Sequence, residues 1–150
     1  MRVVVGLGSN LGEREETLRE AVTKLRALAP VERVSRVYAT APIGPPQPDY
    51  LNAAVLLRWE EPLRALLEAL LRLEADAGRV RRDRWQARTL DLDILWTDGP
   101  PVAEADLKVP HPRLHERAFA VLPLLDVAPD APYSATAFAD QRIEPTSITL

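Results

Sequence analysis

The sequence contains no cysteine among its 150 residues. The chain therefore cannot form a disulfide framework or a thiolate metal site, and any metal must be held by oxygen or nitrogen ligands. No stretch approaches the roughly 20 apolar residues of a membrane-spanning helix, and no long apolar leader is present at the start. We expect a cytoplasmic protein without a membrane partner, in which residues 1–150 form a single domain with a sizeable core.

One segment of the chain carries a net positive charge, whereas the rest of the chain is net negative. The net charge is −3, yet the ten positions from Arg79 to Arg88 contain five arginines and one acid, Asp83. That segment carries a net charge of +4, which leaves −7 for the remaining residues. Cations packed this closely repel one another, so the segment indicates an anionic ligand. A solvated basic loop is the alternative.

Apolar periodicity predicts the order β-α-β-β-α-β. The predicted strands cover residues 3–7, 31–38, 50–59 and 90–97, and the predicted helices cover residues 17–29 and a segment from Pro62 that Gly78 would cap. This order is typical of an α+β, ferredoxin-like fold, in which both helices cover one face of an antiparallel sheet. Residues after Pro100 would form a C-terminal extension.

Strand phase predicts which side chains share the face that the helices leave open. In this topology the first strand lies between the third and the fourth. Leu90, Leu92, Ile94 and Trp96 should face the helices, which turns Asp91, Asp93, Leu95 and Thr97 to the open face. We expect Gly6, Gly8, Tyr50 and Asn52 on that open face as well.

Asp91 and Asp93 are the candidate metal ligands. Two positions apart on a strand, their Cα atoms lie roughly 6 to 7 Å apart on one face, so the carboxylates could share one or two Mg²⁺ ions. A solvated polar strand face is the alternative for a bare Asp-x-Asp pattern. The arginine segment that precedes the pair favours a polyphosphate site, because metal and guanidinium groups together neutralise the charge that moves during transfer.

Three further residue types are candidates for contacts with a ligand. Glu74 falls on the core side of its helix, where it would form an ion pair with a loop arginine or bind a ligand. His111 and His115 are a weak zinc pair without an evident third ligand, so a phosphate or base contact by His111 is the preferred interpretation. Trp85 and Phe119 are either core aromatics or rings that cover a ligand.

At these residues the chain resembles the 6-hydroxymethyl-7,8-dihydropterin pyrophosphokinase family of folate biosynthesis. Residues 84–94 have the sequence RWQARTLDLDI, which is similar to the family signature RWGPRTLDLDI. Further matches are Gly6 to Asn10, Tyr38 to Thr40, Gln47 to Asn52, and Val109 to His111 with Arg117 and Phe119. Gln86 and Ala87 depart from the signature, as do Leu71 and Pro112 from residues that some members carry in the nucleotide site.

The resemblance implies that the chain is an ATP-dependent pyrophosphokinase, which transfers the pyrophosphoryl group to the pterin hydroxymethyl oxygen and releases AMP. Two Mg²⁺ ions would be held by Asp91 and Asp93, and Arg79 and Arg88 would act on the phosphates during transfer. The implied ATP-binding residues are Glu74, Arg81, Arg84, Ile94, Lys108 and His111. The implied pterin-binding residues are Thr40, Ile43, Tyr50, Asn52, Trp85, Arg117 and Phe119.

Two other functions remain open from the sequence. Another metal-dependent nucleotidyl- or phosphotransferase on a ferredoxin-like fold would use the same paired aspartates. An RNA-binding sheet domain would use the arginine segment, but the chain lacks the RNP aromatic motif, and the aspartates would repel phosphate without a metal. We expect ATP and the pterin as partners, no nucleic acid, and a monomer.

Overall fold

The computed structural model describes residues 1–9, 13–40, 50–80, 90–134 and 143–150, with only the backbone of residues 79 and 80. The strands are β1 (Arg2–Ser9), β2 (Val31–Val34), β3 (Tyr38–Thr40), β4 (Tyr50–Arg58), β5 (Asp91–Thr97), β6 (Val102–Glu104), β7 (Leu107–Val109) and β8 (Ile143–Pro145). The helices are α1 (Arg14–Leu28), α2 (Leu63–Val80) and α3 (Ala118–Val127), and a 3-10 turn covers Leu114–Glu116.

The main sheet is antiparallel, with the strand order β5-β1-β4-β3-β8, and β2 pairs with β4 beside β3. β6 and β7 form a separate two-stranded sheet. The prediction of an α+β fold with an antiparallel sheet is confirmed. The first strand lies between the two strands that the sequence places beside it, since β1 pairs with β4 on one side and β5 on the other.

Two apolar cores lie on opposite faces of the sheet. The first core contains buried side chains of α1 and α2, among them Leu18 and Leu66, packed with alternate residues of β1 and β4. The second core contains Val121 and Leu124 of α3 and the other face of the same strands. The C-terminal extension therefore covers part of the face that the sequence left open. Among the described residues, no helix has the length and apolarity needed to cross a bilayer.

The predicted strand over residues 31–38 is interrupted. Ser35 lies between β2 and β3, and its hydroxyl accepts a hydrogen bond from the Ala54 backbone N–H at 2.7 Å. The same hydroxyl donates to the carbonyl oxygen of Arg36 at 2.7 Å. A serine side chain that takes a backbone partner in this way breaks the regular ladder, so the single predicted strand forms two short ones.

Two other local predictions are wrong. Helix α2 continues past Gly78 to Val80, and Gly78 does not adopt the positive φ of a glycine cap. In β5, the pairing with β1 shifts between Val5, opposite Ile94, and Val4, opposite Trp96. The extra residue, Leu95, forms a bulge that exchanges the faces of the residues after it. Trp96 consequently packs against the second core, and Thr97 donates a hydrogen bond to the Met1 sulfur on the first-core side.

Candidate active site

Pairing across three strands places the candidate residues in rows on one face of the sheet. Asp91 of β5 pairs with Gly8 of β1, and Gly8 pairs with Asn52 of β4. In the next row, Asp93 pairs with Gly6. Directly paired residues project to the same face, and neighbouring strands are about 4.8 Å apart. The Asp91 and Asn52 backbones are thus separated by about 10 Å, with only a glycine between them.

The two glycines of β1 are required by the side chains beside them. A Cβ atom on Gly8 would lie 3.1 Å from Oδ1 of Asn52, which is closer than ordinary van der Waals contact. A Cβ atom on Gly6 would lie 2.9 Å from Cδ1 of Leu95, the residue at the bulge of β5. The bare surface of β1 therefore accommodates Asn52 and Leu95, and it leaves room for a ligand above the strand.

A pocket of about 390 Å³ lies on this face. That volume is in the usual range for small-molecule sites. The sheet forms its floor, and the 3-10 turn and the first turn of α3 form its opposite wall. Its lining residues are Gly6, Leu7, Gly8, Thr40, Tyr50, Asn52, Ala53, Asp91, Asp93, Leu95, His111, Leu114, Arg117, Phe119 and Ala120. Eight residues that the sequence proposes as ligand contacts therefore line one cavity.

The aspartates lie at one end of the pocket. Asp91 is half-buried and Asp93 is exposed, and both belong to the pocket lining. Within the described ranges, no group of three or more histidine, aspartate or glutamate side chains is arranged to hold a metal. A pair of carboxylates still fits Mg²⁺, which commonly takes one or two carboxylates and completes its octahedron with water and substrate phosphates.

An oriented amide lies beyond the glycines. Asn52 is only 8% exposed, and its Nδ2 donates a hydrogen bond to Oγ1 of Thr40 at 3.1 Å. This bond fixes which edge of the amide faces Gly8. An asparagine amide has two N–H donors and a carbonyl acceptor, so it can recognise a heterocycle edge that carries both donor and acceptor groups.

The opposite wall of the pocket carries an aromatic ring. Phe119 is 36% exposed, although it is a large apolar side chain. The guanidinium carbon of Arg117 lies 5.7 Å from the centroid of the Phe119 ring. A ring held on one side by a cation presents a flat apolar surface, on which a planar ligand can stack.

His111 joins the pocket from the loop after β7. Its backbone N–H donates to the Leu95 carbonyl oxygen at 3.0 Å, which attaches this loop to β5. Burial lowers the pKa of the His111 imidazole, and the nearby positive charge of Arg117 lowers it further, while Asp93 acts in the opposite direction. The lowered pKa favours the neutral imidazole, a form that can both donate and accept a hydrogen bond.

Three residues predicted to contact ATP do not line this pocket. Glu74 is half-buried on α2, and its carboxylate accepts a hydrogen bond from the Leu92 backbone N–H at 2.8 Å. This hydrogen bond therefore connects α2 to β5 at Leu92, the residue between Asp91 and Asp93. The Ile94 side chain is buried in the first core, and Lys108 is exposed on β7. Their proposed contacts with ATP stay predictions.

Several predicted residues lie outside the described part of the chain. These are Ile43, Arg81, Arg84, Trp85 and Arg88. Arg79 belongs to the last turn of α2, and nothing is described of its side chain.

Sequence reasoning missed the apolar part of the pocket. Strand phase predicts the correct face for Leu95 but no role for it, and it does not predict the positions of Leu114 and Ala120. The signal for Ala120 is the apolar run after Arg117, which predicts a buried helix without indicating what it covers. Leu114 lies between Arg113 and His115, outside any apolar run, so periodicity gives no signal for it.

In this α+β protein, the pocket has two carboxylates at one end, an amide beyond the glycines and an aromatic ring on the opposite wall, which fits a small molecule with both a charged and a planar part. Residues 4–129 match the profile of the 7,8-dihydro-6-hydroxymethylpterin-pyrophosphokinase (HPPK) family. The chain belongs to this family, whose members are transferases.

Three curated relatives bear the name 2-amino-4-hydroxy-6-hydroxymethyldihydropteridine pyrophosphokinase. The Synechocystis protein is 42% identical over 129 residues, which cover 85% of this chain and 66% of that protein, just under two thirds. The Methylorubrum extorquens protein is 42% identical over 132 residues, covering 86% of this chain and 84% of the relative. The Bacillus subtilis protein is 40% identical over 135 residues, covering 88% and 81% respectively.

Proposed function

We propose that this protein transfers the pyrophosphoryl group of ATP to 6-hydroxymethyl-7,8-dihydropterin, giving AMP and the pterin pyrophosphate used in folate biosynthesis. Family membership and the names of the relatives support this activity. The structural observation that supports it most is the row Asp91, Gly8 and Asn52, which brings a carboxylate suited to Mg²⁺ and an amide suited to a heterocycle edge together across one glycine.

The contacts within the pocket support an orientation for the pterin. Its ring would stack on Phe119, and its amide-like edge would meet Asn52. The hydroxymethyl group would then be directed along the glycines of β1 toward Asp91 and Asp93. Those two carboxylates would hold two Mg²⁺ ions, which bind the triphosphate and neutralise the charge that develops during transfer.

The reaction is a substitution at the β-phosphorus of ATP. The pterin hydroxymethyl oxygen forms a bond to that phosphorus, and its proton is released to solvent water. The bond between the β-phosphorus and the oxygen that bridges it to the α-phosphate breaks, and AMP leaves with the electron pair. Arg79 and Arg88 would contact the phosphates, with help from Arg81 and Arg84. Positioning and charge neutralisation carry most of the rate enhancement in such transfers.

We also propose that the sheet and its first two helices form a ferredoxin-like core within a single domain. The order β5-β1-β4 followed by β2 and β3 supports this, because it is the order that two split β-α-β units produce. The monomeric state, the cytoplasmic location and the absence of a nucleic-acid partner stay predictions.

The test of the proposed function is to mix the protein with Mg²⁺, ATP and 6-hydroxymethyl-7,8-dihydropterin and to separate the nucleotides. We expect AMP to accumulate, and to be lost when the pterin is omitted or Mg²⁺ is chelated. Inorganic pyrophosphate as the first product would favour a nucleotidyltransferase instead. Salt-sensitive RNA binding without Mg²⁺, in the absence of turnover, would favour an RNA-binding domain.

A further inference from the structure

The C-terminal strand β8 pairs with β3, whose Thr40 lines the pocket, although β8 lies beyond the family match at residues 4–129. Ile143 of β8 pairs with Thr40 of β3, which in turn pairs with Tyr50 of β4. These three residues form one row across the sheet. Because directly paired residues project to the same face, the Ile143 side chain lies beside that of Thr40 on the pocket side.

The C-terminal tail, residues 143–150, contacts both faces of the main sheet. Ile143 is half-buried and packs against the second core, the one that contains α3. Ile148 and Leu150 pack against the first core, on the opposite face of the sheet. Between them, the N–H and the hydroxyl of Thr146 donate to the Val37 carbonyl oxygen at 2.8 and 2.9 Å, which fixes the tail along β3.

Strand β3 depends on this neighbour more than a longer strand would. It has only three residues, and β4 pairs with its other side. Without β8, β3 would be an unpaired edge whose last residue is Thr40. Thr40 is also the residue whose hydroxyl accepts the hydrogen bond from the Asn52 amide. A series of contacts therefore runs from Ile143 through Thr40 to Asn52.

We propose that β8 is a positioning element of the pterin pocket, in which Ile143 holds Thr40 in the orientation that aligns the Asn52 amide. Ile143 is a positioning residue, because it acts on the ligand through Thr40. This inference rests on the proposed function for the identity of the ligand. It goes beyond that function, since it makes a segment outside the family match part of the substrate site.

The test compares two isoleucines of the same tail. Ile143→Ala should raise the KM for the pterin about fivefold, as expected for the loss of one cross-strand contact. The KM for ATP and kcat should stay within twofold of wild type. Ile143→Val, which keeps the branched side chain, should restore most of the pterin affinity. Ile148→Ala removes the same atoms on the other face, so it should lower Tm without changing the pterin KM.

A readout without substrate separates failure of this inference from failure of the proposed function. We expect the side-chain amide resonances of Asn52 in a ¹⁵N NMR spectrum of the full chain to shift in Ile143→Ala and to stay in place in Ile148→Ala. Unchanged resonances in Ile143→Ala, or equal changes in both variants, would overturn the positioning role even if wild-type protein forms AMP. Wild-type protein that forms no AMP would overturn the proposed function, whatever the resonances do.

Discussion

Asp93 is exposed at the end of the pocket where the charged part of a ligand would bind. We predict that Asp93→Asn lowers turnover by on the order of 10² to 10³, as removal of one transition-state contact does in other enzymes. Pterin binding measured without Mg²⁺ should not change, because Asn52 and Phe119 are untouched. Steady-state kinetics and a fluorescence titration with the pterin would measure the two quantities.

The matched control for this variant is Asp106→Asn. Asp106 is an exposed aspartate after β6 that accepts hydrogen bonds from Arg64 at 2.9 and 3.0 Å, away from the pocket. Its replacement should leave turnover unchanged. Near-normal turnover in Asp93→Asn would remove this carboxylate from the metal site, and an equal loss in both variants would mean that the effect is not local.

Gly8 is the second residue whose replacement has a definite expected result. A Cβ atom there would lie 3.1 Å from Oδ1 of Asn52, and Asn52 cannot move away without losing its bond to Thr40. We predict that Gly8→Ala weakens pterin binding about tenfold, roughly the net contribution of one hydrogen bond, because Asn52 must shift by a few tenths of an ångström. The measurement is a pterin titration in the absence of Mg²⁺ and nucleotide.

Gly78→Ala provides the control for Gly8→Ala. Nothing lies within 4 Å of a Cβ atom on Gly78, which is exposed within α2. Alanine there should leave pterin affinity unchanged and stabilise the fold by about 0.5–1 kcal/mol, since glycine is a poor helix former. Wild-type pterin affinity in Gly8→Ala would show that the close contact with Asn52 is not part of the site.

Between strand β3 and helix α3, one carboxylate joins two secondary-structure elements. Asp126, near the end of α3, accepts a hydrogen bond from the Tyr38 hydroxyl at 2.9 Å. It also accepts hydrogen bonds from the Arg36 backbone and guanidinium at 3.1 to 3.2 Å. Thr40 lies on the same strand as Tyr38, and Phe119 lies in the first turn of the same helix as Asp126. The hydrogen bond between Tyr38 and Asp126 therefore connects the sheet and the α3 wall of the pocket.

The Tyr38 hydroxyl also predicts a pH dependence of stability. Burial raises the pKa of Tyr38 to about 12, and the hydrogen bond to Asp126 acts in the same direction. The ordinary value is about 10, so the protonated phenol stabilises the folded state fully below pH 10, and this contribution is lost as the pH rises from 10 to 12. Tyr38→Phe should lower the free energy of unfolding by about 1 kcal/mol at pH 7 and weaken its decline above pH 10.

Urea unfolding at several pH values would measure this difference. Tyr133→Phe is a comparison variant: burial raises the pKa of Tyr133, so its removal should also weaken the decline above pH 10, but it should not cost the hydrogen bond to Asp126. An identical decline between pH 10 and 12 in wild-type and Tyr38→Phe protein would contradict the assignment of this titration to Tyr38.

At the level of elements, sequence periodicity predicted the two long helices and most strands, because each has one buried stripe or face. It failed where a side chain competes with the backbone ladder. Ser35 interrupts the predicted strand over residues 31–38, because its hydroxyl accepts a hydrogen bond from the Ala54 backbone. The apolar periodicity of the sequence gives no indication of this hydrogen bond. The bulge at Leu95 exchanged the faces of Trp96 and Thr97, since one inserted residue reverses the alternation of a strand.

At the scale of the whole molecule, the site arises because the two faces of the sheet are covered to different extents. Helices α1 and α2 bury the first face, and α3 covers only part of the second, which leaves the pocket between α3 and β1. Strand phase predicted the common face of Asn52, Asp91 and Asp93, whereas Thr40 and Arg117 were indicated only by the family resemblance. The sequence did not predict the apolar wall or the tail strand β8, because both depend on packing between segments distant in the chain.

The central claim is that the protein transfers the β- and γ-phosphates of ATP together to a pterin bound in this pocket. The most direct measurement is the fate of each phosphorus when wild-type protein turns over Mg²⁺, 6-hydroxymethyl-7,8-dihydropterin and ATP labelled separately at the α, β or γ position. We predict that β and γ label appear in the pterin product and that all α label appears in AMP. Transfer of γ label alone with release of ADP, or α label on the acceptor with release of pyrophosphate, would contradict the account.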